Sequence, residues 1–253
     1  MGAKIHLPCV NRSDYLTTLN GRTIFMGFVH LQGLEQQFVE RFLAERAARG
    51  PFASLEDFIS RVSFKIEQLV LLIHGGAFDF TRKPKAELLW QAHLNKGQAK
   101  KEQPETLFQL ENQHFEFPDF KTNALQNAYD EMELYGFPVS LTWFDLLKTS
   151  FRGELMACQM LHFVGQRYRM LGKLVTVKYV RTCKGDTMAL GTFVDATGEA
   201  FDTVLFPQVL KSYPFQGDGI YLLLGKVTEE FGQASLQVEK MGRLGYKTCA
   251  QSA

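Results

Sequence analysis

The sequence predicts an α+β fold in two parts, a helical module followed by a five-stranded β-barrel. Three observations carry that prediction. Apolar residues recur at helical spacing over roughly residues 34–147, and they alternate at period two over roughly 171–241. Gly, Pro, Asn and Asp punctuate both stretches at the intervals that short connections need.

The helices come first. Leu34, Phe38 and Phe42 recur every four residues, with Val39 and Leu43 beside them. They make one apolar face of a helix that ends near Arg46 and Gly50, with basic residues in its last turn. Ser54 stands three residues before Asp57, a capping-box variant, and Leu55, Phe58, Ile59 and Val62 follow. A third helix carries Ile66, Leu69, Val70 and Ile73 and breaks at Gly75-Gly76. Lys, Glu, Gln and Asn then dominate as far as Lys121, punctuated by Pro84, Pro104 and Pro118. A helix fits residues 85–95 there, and 96–105 reads as an exposed linker. A further helix has Thr122 as its expected N-cap and Leu125, Ala128, Met132 and Tyr135 on one stripe, and Gly136 and Pro138 close it.

The strands follow. Val175, Val177 and Tyr179 alternate with Thr176 and Lys178, and Lys184-Gly185-Asp186 turns the chain. A second strand covers 188–194, a hairpin turn 196–199 and a third strand 200–206. Pro207 opens a short helix with Val209 and Leu210. The fourth and fifth strands cover 220–227 and 234–240. Five strands with one helix between the third and fourth is the order of an OB-fold barrel. The expected domains are a helical module at 1–80, a linker at 81–121, a connecting helical segment at 122–162 and the barrel at 163–253.

Composition narrows the function classes. The 253 residues are 45% hydrophobic and 22% charged, which excludes global disorder. The 28 Lys+Arg stand against 27 Asp+Glu, so a strongly basic nucleic-acid glove is excluded too. Residues 163–253 hold 11 Lys+Arg and 8 Asp+Glu, a modest local excess. Cys9, Cys158, Cys183 and Cys249 form no CxxC pair and suit free thiols in a reducing compartment. No apolar run approaches the ~18 residues of a membrane span, and the expected setting is the cytoplasm. The six histidines show no metal-ligand spacing, and neither GxSxG nor GxxxxGK[ST] occurs. No catalytic residue, metal or cofactor is expected.

Collinear motifs then point to a family. They are Leu7-Pro8-Cys9-Val10-Asn11-Arg12-Ser13, Gly27-Phe28, Gly33-Leu34, Gly50-Pro51-Phe52, Leu55-Glu56-Asp57-Phe58 and Gly75-Gly76-Ala77-Phe78-Asp79. In the barrel, Val180-Arg181-Thr182-Cys183-Lys184-Gly185, Val194-Asp195-Ala196-Thr197-Gly198 and Val204-Leu205-Phe206-Pro207 continue the series. In this order they resemble the C-terminal portion of the bacterial DNA polymerase III alpha subunit, a C-family polymerase. The resemblance implies a helix-hairpin-helix element that grips duplex DNA, then a clamp-binding peptide, then an OB domain near the single-stranded template. The palm and its metal-binding carboxylates lie upstream in that family and are absent from these residues. The implied partners are therefore primer-template and single-stranded DNA, the sliding clamp and other replisome subunits, with no catalysis by the chain alone. The alternative is a stand-alone protein-interaction module that has lost DNA affinity, which Glu35 and the near-neutral charge favour.

The candidate site residues follow. The hairpin lies at residues 31–35, where Gly33 and Leu34 fit and Glu35 stands where the pattern has a second glycine. It either offers backbone N–H groups to phosphate or only packs helices. Gly75-Gly76-Ala77-Phe78 is a second such turn, or a helix C-cap. For the clamp, Gln103, Leu107 and Phe108 offer a rim hydrogen bond and two apolar plugs, with Gln five residues before Phe. The same side chains would otherwise dock back on the helices with Leu110. For single-stranded DNA, Lys178, Tyr179, Arg181, Thr182 and Lys184 gather at the first barrel loop. Phe193 and Phe201 lie on or beside the sheet, and Phe231 lies in the last loop. Phe193 and Phe201 alternatively fill the barrel, and Glu229 and Glu230 argue against a basic last loop.

Overall fold

The computed structural model describes residues 4–95, 123–183 and 185–248. Contacts divide the chain into two units, Met1–Leu141 and Thr142–Ala253. The stretch expected as a connecting segment at 122–162 is thereby shared between them.

The first unit opens with a feature the sequence did not announce. Strands β1 (Lys4–His6), β2 (Thr18–Asn20) and β3 (Thr23–Phe25) form a small sheet with β3 at its centre, parallel to β1 and antiparallel to β2. Three residues are too few to display a period-two pattern. Among the described residues five α-helices follow: α1 (Gln36–Arg49), α2 (Leu55–Arg61), α3 (Ile66–His74), α4 (Lys85–Leu94) and α5 (Ala124–Tyr135). Phe38, Val39 and Phe42 are the buried face of α1, as their spacing requires. Ser54 caps α2 by accepting from Asp57 N at 3.2 Å, and the Asp57 carboxylate accepts from Ala53 N at 2.9 Å. For α5 the cap is Asn123, whose side chain accepts from Leu125 N at 3.0 Å, and not Thr122, which lies outside the described residues.

Heavy use of phenylalanine is explained by the core of this unit. Phe58 sits among Phe38, Phe42, Phe52 and Phe78 at centroid distances of 6.4, 5.7, 4.8 and 5.2 Å, mostly edge to face. Such pairs add about 0.5–1.5 kcal/mol beyond burial. Arg61 closes the cluster. Its guanidinium lies 4.4 Å from the Phe52 ring centre, donates to Gly50 O at 2.9 Å and pairs with Glu45 and Asp57.

The second unit is a closed barrel of β4 (Arg167–Arg181), β5 (Thr187–Val194), β6 (Ala200–Leu205), β7 (Ile220–Glu230) and β8 (Gln233–Arg243), ordered β4-β5-β6-β8-β7. Only the β6–β8 pairing is parallel. A short helix α6 (Pro207–Ser212) joins β6 to β7. This is the OB order, and the strands and the helix lie where the sequence pattern put them, except that β4 starts at Arg167, eight residues ahead of the alternation at 175–179. Strand β4 serves both halves of the barrel. Residues 167–173 pair with β7 and 173–181 with β5, and the register shifts between Leu174 and Thr176. A Cβ at Gly172 would stand 2.6 Å from the Phe193 Cβ and 2.8 Å from Phe201, so glycine is what lets those rings fill the barrel at the bend.

Residues 142–163, ahead of the barrel, belong to it as a strap. Leu147 bridges to Tyr246 and Gly153 to Met170. Phe144 and Leu147 cover Leu171 and Ile220 on the outer face of β4 and β7, in a cluster separate from the barrel interior. The Lys173 ammonium sits 4.7 Å from the Trp143 ring centre and pairs with Asp218, and Arg169 lies 5.5 Å from the Phe151 ring.

Candidate nucleic-acid interface

In the first unit, the hairpin at residues 31–35 is a tight turn with Gly33 at φ +81° and Leu34 half-buried. A 3₁₀ turn at Phe28–His30, and not an α-helix, precedes it. The turn is filled from inside. The buried Gln68 side chain of α3 accepts from Glu35 N at 2.7 Å and donates to Gly33 O at 3.0 Å. The Glu35 carboxylate takes the Lys65 ammonium at 2.7 Å. One backbone amide and one cation that a phosphate would use are thus occupied by this chain's own groups. Sequence reasoning saw Glu35 but missed Gln68, which is distant in sequence and has no local signal.

The turn at residues 75–78 is a helix C-cap. Gly76 N donates to Ile73 O at 3.1 Å and Ala77 N to Leu72 O at 2.9 Å, with Gly76 at φ +78° and Ala77 and Phe78 fully buried beneath. That is the hydrogen-bond pattern of a Schellman motif.

In the second unit, alternation sorts the predicted residues. Paired residues share a face, and Ala189, Gly191 and Phe193 face inward. Lys178 pairs with Leu190 and so lies on the outer face, whereas Tyr179 pairs with Ala189 and lies on the opposite one. Arg181 follows Tyr179, at the end of β4, where the loop of residues 182–186 begins. Both Tyr179 and Arg181 are exposed. Thr182 N donates to Asp186 O at 2.8 Å and holds that loop closed, while Thr182 Oγ1 is buried without a hydrogen-bond partner among the described residues. Lys184 lies outside the described residues, as do Gln103, Leu107 and Phe108.

Phe193 is a correction. It is 0% exposed and packs on Phe201, Phe215 and Tyr221, so its ring cannot stack on a base without opening the barrel. Its parity with Gly191 and Ala189, the small inward residues of the same strand, carried that signal. The outer face of β5 and β6 instead presents Met188, Leu190 and Thr192 beside Val204 and Asp202, with Lys178 and Val180 on the β4 side. Phe206, 44% exposed where β6 runs into α6, was not among the candidate site residues, yet it stands next to this face. Phe231 is wholly exposed at the β7–β8 turn. By register that turn sits at the start of β6 and the 182–186 loop at its end, about 17 Å apart along the strand.

Asp195 anchors the β5–β6 turn. Its carboxylate accepts from Ala157 N at 2.8 Å, Thr197 Oγ1 at 2.6 Å, Thr197 N at 2.8 Å and Glu199 N at 3.1 Å. Burial pushes its pKa up, and these hydrogen bonds more than reverse that, holding it below the usual carboxylate range. Among the described residues no cluster of His, Cys, Asp and Glu could hold a metal ion, and no helix is long and apolar enough to cross a membrane.

Comparison with known proteins finds these similarities. The sequence model of one family, described as a helix-hairpin-helix motif, matches residues 2–88. The DNA polymerase III subunit alpha of Aquifex aeolicus is 28% identical over 214 residues, 82% of this chain and 18% of that protein. Its counterpart in Staphylococcus epidermidis is 27% identical over 248 residues, 92% of this chain and 22% of that protein. The chain therefore spans about a fifth of the length of these curated relatives. Among solved structures, the second OB-fold domain of replication protein A from Methanococcus maripaludis aligns with 34% of this chain and 90% of its own, at 16% identity and a TM-score of 0.26. Across both units, this chain is similar in sequence to part of bacterial DNA polymerase III alpha subunits.

Proposed function

We propose that this chain is a DNA-engaging part of a replicative polymerase of the alpha-subunit type, and that it does not itself transfer nucleotides. Single-stranded DNA runs over the outer face of β5 and β6, with Lys178 and Lys184 meeting phosphates and Phe206 offering a ring to bases, while Arg181 and Tyr179, of opposite parity at the exposed end of β4, contact the strand only where it passes the 182–186 loop. The observation that carries this reading is the asymmetry of the barrel wall. The strap seals the outer side of β4 and β7 with Phe144 and Leu147, whereas the β5–β6 side stays open beside the basic loop. An OB barrel takes oligonucleotides on that side. Engagement of a sliding clamp through Gln103, Leu107 and Phe108, and of other replisome subunits, belongs to the same proposal and is supported by the family resemblance alone.

The hairpin is better read as a packing device, because Gln68 and Lys65 already fill its phosphate-facing side. Duplex contact is then weaker than single-strand contact.

Fluorescence anisotropy with labelled oligo-dT and a primed duplex, at 50 and 200 mM salt, tests the reading. With about three phosphate contacts, the log–log salt slope for the single strand is about −2. Arg181→Ala reduces its magnitude by about 0.7, one contact's worth. Absence of binding to either DNA at the lower salt refutes the proposal.

A further inference from the structure

The two ends of the barrel differ in chemistry. Three segments meet at the end away from the 182–186 loop: residues 157–166, the turn at 195–199 and the β7–β8 hairpin beyond Val227. Hydrogen bonds and register bring them together. Ala157 N donates to Asp195 Oδ2 at 2.8 Å, Gly165 N to Val227 O at 2.8 Å and Val227 N to Gln166 O at 2.9 Å. Ser235 pairs with Asp202, which puts the hairpin tip level with the start of β6.

These segments contain no Lys or Arg but four carboxylates, Asp195, Glu199, Glu229 and Glu230. The next cations along the strands are Lys226 and Arg167, and Arg167 is paired with Glu239 at 2.7 Å. The same end exposes three large apolar side chains, Leu161 at 55%, Val164 at 44% and Phe231 at 104%.

The tip itself is held in a costly way. Phe231 and Gly232 form a two-residue turn with φ +53° and +79°, the positions where Asn-Gly is favoured. Gly232 N donates to Glu229 Oε1 at 2.7 Å and fixes the turn. A phenylalanine in left-handed backbone, projecting fully into solvent, is a local conflict of the kind that concentrates at functional sites.

We propose that this end of the barrel docks a protein partner whose surface offers an apolar depression rimmed by Lys or Arg, with Phe231 as the plug and Leu161 and Val164 beside it. Nucleic acid is the poorer occupant. Stacking on Phe231 would bring phosphates against the exposed carboxylates Glu199, Glu229 and Glu230, with no Lys or Arg in these segments to offset them, Asp195 being buried. The proposal concerns a different surface from the β5–β6 face, and it stands or falls independently of DNA binding there.

Two measurements on the full chain test it. In oligo-dT titrations at 50 mM salt, Phe231→Asn leaves affinity unchanged, while its melting temperature rises by about 3 °C because Asn suits the turn. An affinity loss of about tenfold, the size of a lost base stack, overturns the proposal in favour of DNA. In the second, Phe231 is replaced by p-benzoylphenylalanine and the producing cells are irradiated. The expected adduct joins a protein peptide with apolar residues flanked by Lys or Arg, and it disappears when Glu229→Gln and Glu230→Gln are combined. Adducts to nucleic acid alone, adducts indifferent to the double substitution, or no adduct would each overturn it.

Discussion

Glu35 and Gln68 show how a tight turn with backbone N–H groups to offer is occupied from within. The Gln68 amide sits where a phosphate oxygen would accept from Glu35 N, and Glu35 neutralises Lys65. Glu35→Gly removes one carboxylate and frees one ammonium at an exposed position. It is expected to raise affinity for primed duplex by about fivefold at 50 mM salt, read by anisotropy, with little change for oligo-dT. Asp195 makes the opposite case, a carboxylate whose role is internal. Its folded pKa lies below its unfolded value near ~3.9. The stability it contributes is therefore fully present above that unfolded value and is lost as pH falls through the folded one. Asp195→Asn is expected to cost about 2 kcal/mol at pH 7 and to flatten the decline of the barrel's stability below pH ~4, measured by thermal melts across pH.

At the scale of elements, legibility followed pattern length. The barrel strands could be read because each shows several alternations, and α1 and α2 because Phe38, Phe42, Ser54 and Asp57 give spacing and caps together. The three-residue strands β1, β2 and β3 have no period to show. The strap at 142–163 shows no single period either, since Phe144 and Leu147 answer to the outer face of β4 and β7, whereas Leu155 and Met160 join the barrel interior, the latter from a short 3₁₀ helix at Ala157–Phe163. For the candidate site, sequence put Arg181 and Tyr179 at the first barrel loop, and the structure has both exposed at the end of β4 where that loop begins. Sequence left Phe193 open between stacking on a base and filling the barrel, and register decides for the second and brings Phe206 beside the open face. The strap also predicts a coupling. Trp143→Ala removes the ring over Lys173 and beside Tyr246 and should destabilise the barrel by about 2 kcal/mol, seen as a lower urea midpoint.

For the whole molecule, near-balanced charge sets the terms of DNA engagement. With 28 Lys+Arg against 27 Asp+Glu there is no long-range pull on a polyanion, so the chain on its own should hold DNA weakly and depend on a tethering partner. If the tether is a sliding clamp, Leu107→Ala combined with Phe108→Ala abolishes co-elution with that clamp on size exclusion and leaves oligo-dT affinity unchanged. The parallel pairing of β6 with β8 has a consequence for synthesis. The barrel's last strand to leave the ribosome is laid between β6 and β7, so both strands keep open edges until β8 has emerged. Until then the nascent barrel has no route to partial closure, and a chain stalled or cut within β8 presents two unpaired, β-rich edges to its neighbours.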